Sequence, residues 1–334
     1  MKMEIENCPL VSIGLPVFNG QKGLARALDS LLEQDYPNLE INISDNASTD
    51  TTPEICGRYI LKDARVKYSR LDENLGAIEN FNQVFKLSSG KYFMWAADDD
   101  HREPSFIRAC VEKMEKCPDA VLCQTHTVSF IEGRRDRLCV VNMNGFEGVT
   151  KLVDRYRETL KNWPATGIYG LYRSSAVRKT GMFQKVLGSD ISFILELSIH
   201  GNFVQVPKLL FSYYGRKKWN TVHQDYKVHF GKDRKPWWYL PFITLFCNHW
   251  TRVARTALPS GLKLRLWWIL IEHAAGQVAL KILIKVCRRV CPAVWKETLA
   301  CAIYGRWMRG PNLQIGCEDL FLERVIKPKL GWWS

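Results

Sequence analysis

Three consecutive aspartates, Asp98-Asp99-Asp100, follow the apolar run YFMWAA. Adjacent carboxylates repel one another, so a fold that keeps three of them at a strand end needs a reason to do so. Mg²⁺ and Mn²⁺ prefer oxygen ligands and often bridge protein carboxylates to phosphates. A cation held in this way stabilises the charge that develops on a departing diphosphate. The competing reading is a solvated acidic turn. A second cluster, Asp45-Asn46-Ala47-Ser48-Thr49-Asp50, also closes an apolar run. Asp45 is placed to accept hydrogen bonds from a base or a ribose. Ser48, Thr51 and Thr52 are turn and capping residues by type.

These clusters are useful only if the elements between them bring them together. Leu10 to Pro16 reads as a buried strand, and Asn19-Gly20 turns the chain. Leu24, Ala27, Leu28, Leu31 and Leu32 recur at helical spacing. Leu39 to Ser44 is a second strand, Thr52-Pro53 an N-cap and first helical residue, and Val66 to Arg70 a third strand. After a turn at Asn74 to Gly76, a helix face of Ile78, Phe81, Val84 and Phe85 leads to a fourth strand, Tyr92 to Ala97. Strands alternating with single helices predict an α/β fold, a mostly parallel sheet covered on both faces. Ligands of such sheets bind beyond the carboxyl ends of the strands. Val17-Phe18-Asn19, the Asp45 cluster and the three aspartates are therefore expected on one edge. Further strands are expected at Val121 to Val128, Ile168 to Arg173 and Phe203 to Tyr214, the last interrupted at Pro207. An apolar helix preceded by Gly188-Ser189-Asp190 is expected to run to His200 and to end at Gly201, and residues 131–160 are left unassigned.

The ordered motifs VSIGLPVFNG, ISDNASTDTT, ENLGA and GKYFMWAADDD resemble the family 2 glycosyltransferases of GT-A fold. The resemblance covers about residues 9 to 215. It implies a Rossmann-like nucleotide-binding sheet continuous with an acceptor-binding sheet. It also implies inverting transfer of a sugar from a nucleotide diphosphate, with a divalent cation, Mg²⁺ or Mn²⁺. By the same resemblance Pro16, Val17, Phe18 and Asn19 touch the nucleotide, and Asp45 lies near the base with Asn46 beside it. Asn74 and Gly76 lie near the nucleotide and the sugar. Asp99 matches the metal-binding aspartate, with Asp100 as a second ligand and Asp98 near the nucleotide sugar. The family often reads Asp-x-Asp with a further Asp; here Ala97 stands in the first place. Asp190 matches the catalytic base, although Ser189 stands where an acid usually precedes it, and a helix N-cap is the alternative role. Arg216, Lys217, Lys218 and His223 lie where such enzymes carry a basic contact to the diphosphate. His126, His200 and His249 have no ligand spacing and read as structural.

The charge of +13 is uneven: from Gly231 to Ser334 there are 17 Lys and Arg against 6 Asp and Glu, and nine of the twelve tryptophans. Two regions are expected: a catalytic domain over 1–218 and a basic, Trp-rich helical region over 219–334. Helical patterns run from Trp237 to Ala257, Leu262 to Val290 and Ala293 to Met308. The uncharged stretch Pro236 to Trp250 is shorter than the roughly 20 residues of a membrane span. Trp with Lys and Arg suits an amphipathic helix on an anionic membrane surface, and a glycan or lipid-linked acceptor would fit it. The first ten residues lack the apolar core of a signal peptide, and the eleven cysteines form no C-x-x-C pair. The expected location is cytoplasmic, with peripheral contact to the membrane. The donor is expected to be a nucleotide-diphosphate sugar, UDP being the commonest nucleotide, with dTDP and GDP as alternatives. Against a nucleotidyltransferase stands the absence of a Gly-rich basic loop after the first strand. Against nucleic-acid binding stands the interleaving of the basic residues with Leu, Ile and Trp. A catalytically inactive scaffold is the remaining alternative.

Overall fold

The computed structural model describes residues 8–131, 134–141, 148–162, 165–215, 221–233, 235–237 and 239–290. Strands β1 (Val11–Val17), β2 (Leu39–Asp45), β3 (Val66–Arg70) and β4 (Tyr92–Trp95) form a parallel half-sheet in the order β3-β2-β1-β4. Every residue of β1 and β2 is buried. Helices α1 (Leu24–Leu32), α2 (Thr52–Lys62) and α4 (Phe106–Lys116) cover one face, burying Leu24, Leu28, Leu31, Ile55, Ile107 and Val111 against Ile13 and Ile41. On the other face α3 (Ala77–Lys86) packs Ile78, Val84 and Phe85 with Phe93 and Trp95. The register pairs Val17 with Asp45 and Asp45 with Arg70, so the three loops leave the sheet at one level.

The sheet continues through β8 (Leu171–Arg173), β6 (Ala120–Ile131), β9 (Asn202–Gly215) and β5 (His101–Arg102), with β7 (Arg134–Val141) paired to β6. Of the strand expected over Ile168 to Arg173, Ile168 and Tyr169 end a 3-10 helix, Ala165–Tyr169, and only Leu171 to Arg173 pair. Pro207 does not divide β9. The register against β6 shifts around Thr125 to Thr127 instead, and such a bulge accommodates a proline that cannot donate to the ladder. The unassigned stretch supplies β7 and helix α5 (Leu152–Asn162). Thr51, not Thr52, stands at the N-cap position of α2 but makes no side-chain cap bond; Asp50 Oδ1 accepts both Thr52 N at 3.0 Å and the Thr52 hydroxyl at 2.5 Å.

After the four-residue helix α6 (Ser174–Val177) comes α7 (Ser189–His200), whose residues are buried on almost every side. Beyond β9 lie α8 (Val222–Phe230), α9 (Pro241–Arg255) and α10 (Ser260–Val290). The expected helix from Ala293 to Met308 falls outside the described residues. α8 begins with a capping box between Thr221 and Gln224, and its Tyr226 and Phe230 join the core that holds Trp95 and Phe193. Leu195 and Ile199 of α7, Tyr156 of α5, Val253 of α9 and Leu266, Ile269 and Leu270 of α10 form a separate cluster. Trp250 stacks on Trp267 with ring centres 4.8 Å apart, joining α9 to α10. Among the described residues no helix is long and apolar enough to cross a membrane.

Candidate functional site

The loops after β1 and β2 are laced together by side chains reaching backbone. Ser48 Oγ accepts from Asn19 N at 2.9 Å, and Asn19 Oδ1 accepts from Thr49 N at 2.8 Å. Thr52 Oγ1 accepts from Gly20 N at 2.9 Å. Asn19 and Ala47 both have positive φ, 54° and 59°, so each loop turns sharply where it meets the other. Beneath them the buried Asn80 donates to Ser44 O at 2.9 Å and Val17 O at 3.3 Å, tying the two strand ends to α3. Pro16 and Val17 are buried at the edge, whereas Phe18 and Asn19 are exposed on it.

Asp45 is fully buried. Its carboxylate accepts Tyr68 Oη at 2.8 Å and Ser48 N at 2.9 Å, and Arg70 Nε lies 3.7 Å away. It therefore shapes the loop and fixes the guanidinium of the half-exposed Arg70, which also donates to Ser48 O at 2.7 Å. Asn46 carries the stitching onward: it donates to Asn74 Oδ1 at 2.9 Å and accepts from Leu75 N at 2.9 Å. Gly76 follows with φ 85°, and a Cβ there would come within 2.6 Å of Gly231 N and His229 O. Glycine is required by both the dihedral and the close approach. The third loop is thus fitted to the carboxyl end of α8.

The three aspartates enter the same edge from β4. A side chain at Gly20 would collide with the Asp98 carboxylate, so the first loop lies directly against it. Asp99 O accepts Arg26 Nη2 at 2.8 Å, and Arg26 in turn lies 4.5 Å from the ring centre of Tyr214. Asp98 and Asp99 are half-buried, whereas Asp100 is 1% exposed. Asp100 Oδ1 accepts Tyr214 N at 3.0 Å, and Oδ2 has no hydrogen-bond partner. Burial, reinforced by Asp99 and Asp98, pushes the Asp100 carboxyl up to about 7 against the opposing Arg102. No group of three or more His, Cys, Asp or Glu side chains among the described residues is arranged to hold a metal ion. Mg²⁺ and Mn²⁺ bound beside phosphates need only one or two protein carboxylates, the substrate supplying the rest. The half-open Asp98 and Asp99 fit that requirement. Asp100 is closed in, anchored to β9, and stands behind them as a further carboxylate.

Asp190 lies in the first turn of α7, after Gly188, which caps the helix with φ 80°. The cap role is therefore taken by glycine. Burial raises the Asp190 carboxyl above its ordinary value, opposed by the Ile191 backbone N–H and the charge of nearby His229. A carboxylate so placed accepts a proton near neutral pH more readily than an exposed one. α8 connects the two halves of the site. Its His229 acts on Asp190 through the side chain and lies against Gly76 through the backbone oxygen.

The start of α7 is held from behind by α9. Ser192 Oγ donates to Asn248 Oδ1 at 2.5 Å, and Asn248 Nδ2 donates to Gln184 Oε1 at 2.6 Å. Arg252 donates to Asn248 Oδ1 at 2.8 Å, to Met182 O at 2.6 Å and to Glu196 Oε2, which also accepts Gly181 N at 2.9 Å. Arg252 and Glu196 are both buried. His249, buried beside Ser192, is held neutral with its pKa lowered to about 3. Sequence reading marks His249 only as structural and misses this network entirely. It also misses His229, because α8 is too short to show a period. Of the expected basic cluster, Arg216, Lys217 and Lys218 lie outside the described residues, and His223 is exposed on α8.

The Glycosyl transferase family 2 model matches residues 12–187, a little over half of the chain. The chain is 36% identical over 112 residues to an uncharacterized glycosyltransferase of Haemophilus influenzae, covering 34% of this chain and 35% of that one. It is 26% identical over 211 residues to the chondroitin synthase of Escherichia coli, covering 62% and 29%. The alignments with the first curated relatives thus span only about a third of those proteins' own length. In fold the chain is similar to S. aureus TarS 1-349 in complex with UDP-GlcNAc, with a TM-score of 0.60, 16% identity and coverage of 89% and 81%. It is also similar to the mannosyltransferase PcManGT of Pyrobaculum calidifontis in complex with GDP-Man and Mn²⁺, with a TM-score of 0.56, 15% identity and coverage of 99% and 89%.

Proposed function

The chain belongs to glycosyl transferase family 2, and from that premise we propose that it transfers a sugar from a nucleotide-diphosphate donor to an acceptor hydroxyl with inversion. One observation carries the proposal. The loops at Val17-Phe18-Asn19, Asp45-Asn46 and Asn74-Gly76 are bonded into a single edge, and α8 joins that edge to the half-buried Asp190. The similar solved structures hold UDP-GlcNAc and GDP-Man with Mn²⁺, which supports a uridine or guanosine donor and a divalent cation.

In this reading the exposed Phe18 and Asn19 receive the nucleotide and Asp45 holds the loop beside the base. Asn74 and Gly76 line the side toward the sugar. Asp98 and Asp99 would hold the cation, which supplies charge neutralisation on the leaving diphosphate. Asp190 takes the proton from the acceptor hydroxyl as its oxygen bonds to the anomeric carbon. The bond from that carbon to the diphosphate oxygen breaks on the opposite face, and the electron pair leaves with the nucleoside diphosphate. The relatedness to a chondroitin synthase supports a glycan acceptor in polysaccharide synthesis. The basic helices after Gly231 support work at a membrane surface.

The test is release of nucleoside diphosphate from UDP-, dTDP- and GDP-sugars with Mn²⁺, for wild type and Asp190→Asn. One nucleotide class should turn over, and the substitution should lower kcat by a factor on the order of 10³. Turnover that survives Asp190→Asn would remove Asp190 as the base. No turnover of any donor would remove the transferase reading.

A further inference from the structure

An open groove of about 420 Å³ runs between α5 and α10, lined by Val153, Arg157, Leu264, Arg265, Trp268 and Ile269. Its lining is mostly apolar, and Arg157 and Arg265 are the two charged residues along it. Arg157 lies 4.0 Å from Asp154, a long and weak ion pair, with 38% of its side chain exposed. The groove opens beside a stripe. Leu264, Trp268, Ile271 and Val278 of α10 are 62%, 60%, 42% and 45% exposed. At 3.6 residues per turn these four side chains fall within about 80° of one another. The opposite face of the helix carries the buried Leu266, Ile269 and Leu270. The Trp268 indole donates to Glu272 Oε1 at 2.6 Å, so the carboxylate flanking the stripe is already engaged.

A large apolar stripe on the outside of a helix needs an occupant. Three observations select the same one. Helix α10 itself carries six Lys and Arg against one Glu, so the occupant is anionic. Exposed tryptophan beside exposed leucine and isoleucine matches the boundary between lipid headgroups and acyl chains. No described helix is long and apolar enough to enter the bilayer fully, so the face is suited to lie on it. We propose that the α10 stripe docks on an anionic phospholipid bilayer, with one acidic headgroup held in the groove by Arg157 and Arg265. This deepens the membrane part of the reading above, and it is measured without donor, acceptor or turnover, so either can fail alone.

The experiment is sedimentation of the full chain with vesicles of phosphatidylcholine alone and of phosphatidylcholine with about 30 mol % phosphatidylglycerol, an anionic surface that attracts basic side chains. Three proteins are compared: wild type, Leu264→Ser/Trp268→Ser and Arg157→Gln/Arg265→Gln. Thermal melting establishes that each is folded. Wild type should partition onto the anionic vesicles and much less onto the neutral ones. Each double variant should partition about tenfold or more weakly, since each removes two contacts of the kind that hold a protein to an anionic surface. Equal partition onto both vesicle types would overturn the proposal. So would the absence of partition, or folded variants that bind as well as wild type.

Discussion

The two halves of the site are held by different physics. The donor edge is stitched by hydrogen bonds between side chains and backbone over loops at one level of the sheet, and much of it is open to solvent. The base helix α7 is surrounded by protein and fixed by a buried ion pair, Arg252 with Glu196, and by the Ser192–Asn248 bond. An exposed loop bond exchanges with water at little net cost, whereas a broken buried pair leaves an uncompensated charge. The donor edge should therefore tolerate single losses that the α7–α9 contact does not.

The largest expected effect is on chemistry alone. Asp190→Asn should lower turnover by a factor on the order of 10³ while nucleotide affinity stays within about twofold. A parallel fall in affinity would show that the halves are not separable. For wild type, turnover should rise with pH through a limb above the ordinary carboxylate range, because burial raises the Asp190 carboxyl and a base must be ionised to act. A limb at the value of an exposed aspartate would contradict this.

Next comes stability. Arg252→Ala should cost about 3–5 kcal/mol in urea unfolding, and Arg252→Ala/Glu196→Ala should recover part of it, since the second change removes the stranded charge. Additive losses would show that the pair is not coupled. Gly76→Ala should cost about 1–3 kcal/mol from the strained φ and the collision with α8, and it should weaken nucleotide binding more than Ser48→Ala does. The smallest effect is at the far end of the sheet. Burial would raise the Glu40 carboxyl, but hydrogen bonds from Lys67, Ser12 and Ser89 outweigh it and hold the pKa at about 2. A depressed folded pKa contributes stability above the unfolded value near 4.5, lost as pH falls from there toward 2. Glu40→Gln should remove on the order of 1–2 kcal/mol of that acid dependence, once screening of the mostly exposed Lys67 is allowed for. An unchanged acid profile would place the dependence elsewhere.

The donor edge could be read from the sequence because its clusters end apolar runs. Asp45 and Asp98 follow strands, and alternation of strands with helices sends all strand ends to one side. Their detailed roles could not be read. Nothing in the sequence indicates that Asp45 is covered by Tyr68, or that Asp100 turns inward to Tyr214 N while Asp98 and Asp99 stay half-open. The base half was legible only at Asp190, through the resemblance. Glu196 and Arg252 are 56 residues apart, and helical periodicity identifies a buried face without naming a partner across it. α8 covers nine residues, too few for a period, and its local signal in the sequence is the Thr221-x-x-Gln224 capping box. Pro207 misled for a related reason: the bulge that accommodates it depends on β6.

The central claim is that the donor edge binds a nucleoside diphosphate through a cation held by the aspartates. Calorimetric titration with UDP, dTDP and GDP, with and without Mn²⁺, on wild type and Asp99→Asn, tests it most directly. One nucleotide should bind with Mn²⁺ far more tightly than without, and Asp99→Asn should abolish the difference. Absence of binding for all three nucleotides, or Mn²⁺-dependent binding that survives Asp99→Asn, would contradict the account.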